Sequence, residues 1–111
     1  MKTECEQQRL TIYVSEAETW HGKPLYDAIL NEARTRQLAG ATVLRAMMGF
    51  GPHRHIHSTR VMRLSEDLPV VLEIVDDQEK IQAFLPVLDG MVEEGLVTVE
   101  SVRAIAYRRT T

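Results

Sequence analysis

Two hydrophobic periods alternate along the chain. From Arg9 to Val14 the sequence reads R-L-T-I-Y-V, with Leu10, Ile12 and Val14 on one side and Thr11 and Tyr13 on the other, which predicts a first strand. Between Gly22 and Leu38 the spacing changes. Leu25, Tyr26, Ile29, Leu30 and Ala33 fall on one side of a helix, while Asp27, Asn31, Glu32, Arg34 and Arg36 fall mostly on the other. Pro24 suits the first turn of that helix, and Arg34 and Arg36 suit its negative C-terminal end. Gly40 is then placed to turn the chain out of the helix, and A-T-V-L-R-A-M-M-G-F, Ala41 to Phe50, predicts a long second strand ending at Gly49 and Gly51.

A polar stretch from Pro52 to Asp67 separates this half from the next. The run L-P-V-V-L-E-I-V, Leu68 to Val75, predicts a third strand, with Pro69 tolerable only at its start or on an edge. Asp76 followed three residues later by Glu79 has the form of a capping box, and Ile81, Phe84, Leu85, Leu88, Met91 and Val92 form a helical stripe. Pro86 inside that stripe predicts a kink or a late start, because its ring removes one backbone donor and crowds the carbonyl of Gln82. Gly95 is expected to close the helix before a fourth strand from Leu96 to Tyr107, with a frayed tail after it.

The order strand, helix, strand, then strand, helix, strand predicts an α+β chain. Its simplest assembly is the ferredoxin-like βαββαβ arrangement, a four-stranded antiparallel sheet with both helices on one face. The other face is expected to carry Tyr13, Val71 and Val75 with some of Val43, Arg45 and Met47. So much apolar surface predicts a homo-oligomer built sheet against sheet.

Composition narrows the function classes. At 111 residues, with 44% apolar and 26% charged, the chain is expected to form a single domain, here residues 8–107, without disulfides. The one cysteine, Cys5, cannot form an internal disulfide and fits a reducing compartment, so the cytoplasm is the expected location. The N-terminal MKTECEQQR has no apolar stretch of the kind a signal peptide needs, and no apolar run approaches the ~20 residues of a membrane span, so direct membrane insertion is not expected. A net charge of -3 and few aromatics argue against a nucleic-acid platform. Any anion site must be local.

One stretch is local in that sense. G-F-G-P-H-R-H-I-H-S-T-R-V, residues 49–61, sets three histidines and two arginines behind a Gly-Phe-Gly turn with no carboxylate among them. In an extended segment His53, His55 and His57 share a face with neighbours ~6.5–7 Å apart, so two adjacent imidazoles can chelate one ion while the third lies too far away without a turn. The anion reading draws on more groups: Arg54, Arg60 and Arg63, the three histidines, and the hydroxyls of Ser58, Thr59 and Ser65. Gly49 and Gly51 let main-chain N–H groups approach an oxyanion closely. A plain solvated loop remains the third reading. Ser58, His57 and Asp67 supply the residue types of a hydrolytic triad, but no G-x-S-x-G elbow occurs, and an enzyme is not expected. Cys5, in a mobile N-terminus with no basic neighbour to activate it, is incidental. Trp20 and His21 offer rings for stacking on a base, against the plainer role of a lid on the core.

Residues 40–100 resemble the PII-like signalling proteins, in a branch known only as an uncharacterised domain. The resemblance runs from about Gln8 to Tyr107 and rests on Gly40-Ala41-Thr42-Val43, Gly49-Phe50-Gly51, His57, Leu64-Ser65-Glu66-Asp67-Leu68-Pro69 and Glu79-Lys80-Ile81. It implies a ferredoxin-like subunit in a trimer, with residues 51–67 as the long T-loop. Small ligands, commonly adenine nucleotides, would sit in clefts between subunits and change that loop, so that a membrane transporter, channel or enzyme target is released or blocked. Carried over, the ligand-binding residues are Gly40, Thr42, Gly49 and Gly51 with Arg54, His57 and Arg60. One departure matters. The glycine-rich basic segment that holds triphosphates in PII proteins is replaced by V-E-E-G-L, where Glu93 and Glu94 repel a polyphosphate. A nucleotide with fewer phosphates, another small anion, or no nucleotide fits better than ATP. Ala46 also stands where this branch would be expected to carry a glycine. The alternative within the same fold is a divalent-metal-responsive trimer using His53, His55 and His57.

Overall fold

The structure, a computed structural model, describes residues 1–51 and 68–110 and the backbone of His57 and Ser58. In chain order its elements are β1 (Lys2–Ser15), β2 (Thr19–Trp20), β3 (Lys23–Pro24), α1 (Leu25–Thr35), β4 (Thr42–Arg45), β5 (Met48–Gly49), β6 (His57–Ser58), β7 (Pro69–Asp76), α2 (Gln78–Asp89) and β8 (Leu96–Tyr107). The main sheet has the order β4-β7-β1-β8 with every neighbouring pair antiparallel. This is the expected ferredoxin-like α+β architecture: the pair that is consecutive in each half is separated in the sheet, and each crossover carries a helix.

Both helices cover one face. Leu10, Ile12 and Val14 of β1 and Val70, Leu72 and Ile74 of β7 pack with Leu25, Ala28, Ile29 and Ala33 of α1 and with Ile81, Phe84, Leu88 and Met91 of the second half. Burying a side chain of this size contributes roughly 1.5–3 kcal/mol, so this layer drives folding.

Several details depart from the sequence reading. β1 starts at Lys2 rather than Arg9, because Lys2 to Gln7 pair with Tyr107 to Val102 of β8 in a ribbon that continues past β7. Cys5 therefore lies in a ladder opposite Ala104, exposed, and not in a loose terminus. The second strand is broken. β4 ends at Arg45, the Ala46 N–H donates to the Pro69 carbonyl at 2.9 Å, and Pro69 has no N–H with which to continue the ladder. The phase of β4 is also opposite to the one expected. Val43 pairs with buried Leu72 and packs against the core, so Leu44, paired with Val71, faces away from the helices.

The chain leaves α1 through Gln37, which takes the left-handed conformation at φ 62°, and not through Gly40. Asp77, not Asp76, is the N-cap position of α2, without a side-chain cap bond. The helix starts at Gln78 and runs through Pro86, so there is no late start; the bond lost lies in its last turn. It ends at Gly90, and Gly95 has another role: a Cβ there would lie 2.7 Å from the Tyr13 carbonyl oxygen, so glycine lets the α2–β8 connection press against β1.

Candidate functional site

The edge strand β4 organises the candidate site. Gly40 and Thr42 lie at its start, Gly49 and Gly51 beyond its end, so one chain holds these two pairs at opposite ends of the same strand. Thr42 is the register partner of Glu73, which shares its face with Val71 and Val75. The alternation V-V-L-E-I-V already placed Glu73 in that phase, and the sequence reading passed over it.

Gly40 borders a groove of about 340 Å³ between the end of α1 and the start of β4. Leu30, Ala33, Leu38 and Ala41 give it apolar walls, and Asn31 and Arg34, hydrogen-bonded to each other at 3.3 Å, give it a polar rim. A Cβ added at Gly40 would meet nothing within 4 Å, so the groove is open there. The segment that forms this wall is tied down from the second half of the fold. Asp76, 5% exposed, accepts the Ala39 N–H at 2.8 Å, and the Lys80 ammonium donates to the Gln37 carbonyl at 3.0 Å.

At the other end, Gly49 pairs with His57 and Met48 with Ser58 in the β5–β6 ladder, so the structure brings two of the expected site residues together through their backbones. A Cβ at Gly49 would approach the Pro69 ring to 3.0 Å, which leaves little room for any other residue. Arg45 clamps the base of this region: its guanidinium holds both carboxylate oxygens of Glu16, at 2.6 and 3.1 Å. The Glu16 N–H in turn donates to the Leu68 carbonyl at 2.7 Å. Arg54 and Arg60, and with them His53, His55, Arg63, Ser65 and Asp67, lie outside the described residues, as does the 51–67 loop apart from Gly51 and the backbone of His57 and Ser58. Among the described residues no group of three or more His, Cys, Asp or Glu is placed to hold a metal.

Trp20 takes the plainer of its two expected roles, packed against the core. Its ring stacks on that of His21 at 3.8 Å and 12°. His21 and Gly22, both at positive φ, form the two-residue turn of the β2–β3 hairpin that sets this geometry.

The sheet face away from the helices carries Tyr13, 44% exposed, Leu44, 52%, and Leu96, 58%, with half-buried Val71 and Val75. Arg9 and Glu100 lie opposite each other on this face and form an ion pair, in which Arg9 Nε donates to Glu100 at 2.9 Å. That hydrogen bond, and then the charge of Glu100, hold the Arg9 pKa above its ordinary value.

The model of the DUF190 family, described as "Uncharacterized ACR, COG1993", matches residues 7–104. The chain belongs to this family. A UPF0166 protein of Aquifex aeolicus (strain VF5) is 42% identical to this DUF190 chain over 100 residues, which cover 90% of it and 94% of the relative. A UPF0166 protein of Methanocaldococcus jannaschii is 33% identical over 91 residues, 81% of this chain and 83% of that one. Among solved structures, a PII-like protein of Thermus thermophilus superposes with a TM-score of 0.66 at 19% identity, over 91% of both chains. CPII, a nitrogen regulatory PII-like protein from Thiomonas intermedia K12 solved with ADP, AMP and bicarbonate, superposes at 0.62 with 16% identity, over 92% of this chain and 91% of that one. The DUF190 chain thus has the PII-like fold that its sequence resembles. Among its described residues no helix is long and apolar enough to cross a membrane.

Proposed function

We propose that this chain is a PII-like signal-transduction protein of the cytoplasm. It assembles as a homotrimer, senses a small ligand in the clefts between subunits, and regulates a partner protein through the 51–67 loop. The observation that carries this reading is the sheet face bearing exposed Tyr13, Leu44 and Leu96, uncovered among the described residues, opposite the face on which both helices pack. Exposed apolar surface of this kind is stabilised by a second copy. Assembly also answers a geometric need. Gly40 and Thr42 are separated from Gly49 and Gly51 by the length of β4, and a neighbouring subunit can bring one end of this strand against the other end of its own.

Charge and the likeness of fold support a choice of ligand class. CPII, on the same fold, was solved with ADP, AMP and bicarbonate. Here the connection from α2 to β8 exposes Glu93 and Glu94, which disfavour a triphosphate. An adenine nucleotide with one or two phosphates, or another small anion, is the proposed effector, with Arg54, His57 and Arg60 supplying donors from the loop. The regulated partner is a protein target such as a transporter, channel or enzyme.

Calorimetry with AMP, ADP, ATP and a cyclic nucleotide tests the ligand, and light scattering tests the assembly. The expected outcome is a mass of three subunits and a preference for AMP or ADP over ATP. A clean monomer mass overturns the trimer. If no nucleotide binds while zinc or copper binds stoichiometrically and is lost in His55→Ala and His57→Ala, a metal-responsive trimer replaces this reading.

A further inference from the structure

We infer that Asp76 is a positioning residue for the ligand, acting through the segment Gln37–Ala41 that forms the wall of the groove beside Gly40. This deepens the function proposed above and rests on it.

Asp76 ends β7 on the helix-covered face, where the residue is 5% exposed. A buried carboxylate is stabilised only by donors aimed at it. Two backbone donors are, one for each oxygen: the N–H of Asp77 reaches Oδ1 at 2.7 Å and the N–H of Ala39, 37 positions earlier, reaches Oδ2 at 2.8 Å. The first bond is local. The second ties the exit of α1 to the junction between β7 and α2.

The segment it ties needs holding. Gln37 sits at φ 62°, a left-handed conformation that costs a non-glycine residue about 1 kcal/mol or more. Four bonds hold it: the Gln37 N–H to the Arg34 carbonyl and the Leu38 N–H to the Ala33 carbonyl, both at 3.0 Å, the Lys80 ammonium to the Gln37 carbonyl, and the Ala39 N–H to Asp76. Gly40 and Ala41 follow directly and border the groove with Leu30, Ala33 and Leu38. Fixing this wall before the ligand arrives removes the ordering cost from binding. The residue that sets the wall is therefore a buried acid from the other half of the chain, which itself does not line the groove.

Asp76→Asn is the direct test. Asparagine offers one acceptor where two are used, so either Ala39 or Asp77 faces an NH2 donor instead. Amide hydrogen exchange in the wild-type protein is expected to show the Ala39 N–H slowed at least about tenfold from its intrinsic rate, and Asp76→Asn to remove that protection. AMP, titrated by calorimetry well below the unfolding midpoint, is expected to bind about tenfold more weakly to Asp76→Asn, the loss of one hydrogen bond to a charged group. Leu88→Ala, which destabilises the core without touching the segment, is the comparator and should keep its AMP affinity. Equal AMP affinity in Asp76→Asn and wild type overturns the inference, and so does an equal loss in Leu88→Ala. An Ala39 amide that exchanges at its intrinsic rate in the wild-type protein overturns it without any variant, including the case where Asp76→Asn does not fold. If AMP fails to bind the wild-type protein, the adenine-nucleotide reading falls, and the tether is decided by the exchange rate alone.

Discussion

The two faces of the main sheet are built from the same strands and meet different solvents. On the helix side, Leu10, Ile12, Leu72 and Ile74 are at most 1% exposed and belong to one core cluster with residues of α1 and α2. On the other side, Tyr13 of β1, Leu44 of β4 and Leu96 of β8 stand open to water, and Arg9 and Glu100 form an ion pair on the same face. Alternation places both sets, but among the described residues only one has a covering layer. The closed face holds the subunit together. The open one is apolar and yet interrupted by charges, the mixed character that the proposed assembly would use.

Breaking the closed face should cost most. Leu72→Ala removes a fully buried side chain from the centre of the sheet and is expected to lower unfolding stability by about 2–5 kcal/mol in urea titration. Gly95→Ala comes next. Its Cβ would meet the Tyr13 carbonyl at 2.7 Å, and forcing that contact should cost about 1–3 kcal/mol, read from the same titration. Val71→Glu moves the perturbation to the open face. It should leave the far-UV circular dichroism of the subunit intact while light scattering shows the assembly falling to single chains, whereas an assembly indifferent to Val71→Glu would mean that this face is not the interface.

The smallest effect is expected at Glu100→Gln, which breaks the exposed pair with Arg9 and should shift the unfolding midpoint by no more than the scatter of repeat measurements. The sign of its pH dependence is fixed. The Arg9 pKa is raised, so its contribution is complete below the ordinary arginine pKa and fades only above it. Unfolding curves of wild type and Glu100→Gln should therefore keep the same separation from pH 6 to pH 9.

Much of the fold was legible in the sequence because its strands and helices carry clean periods. Leu96 to Tyr107 matches β8 at both ends, and Leu68 to Val75 is displaced by one residue from β7. The misreadings share a cause. At Ala46, Asp76 and Gly95 the local residue type suggested one role, and a partner distant in sequence imposed another. Ala46 interrupts the second strand because Pro69 lies across from it. Gly95 is glycine because the Tyr13 carbonyl leaves no space. The polar N-terminal residues looked loose because their pairing partner, the far half of β8, lies about a hundred positions away.

The candidate site divided in the same way. Gly40, Thr42, Gly49 and Gly51 were candidates from their motifs, and the structure sets two of them at the start of β4 and two beyond its end. The Arg45–Glu16 clamp and the Asp76–Ala39 tether were not, since nothing in a linear pattern couples positions 29 and 37 apart.

By itself, then, the order of residues determined the main strands and helices, most of their amphipathic faces and the ferredoxin-like topology, which follow from periods of two and 3.6 and from chain connectivity, and its composition determined the local basic stretch. Tertiary structure alone decided where β4 breaks and which of its sides points inward, and it gave a buried acid in the second half a hold on a loop in the first. Those outcomes depend on hydrogen-bond partners and free volume supplied by residues remote in sequence, and only the folded chain brings them within reach.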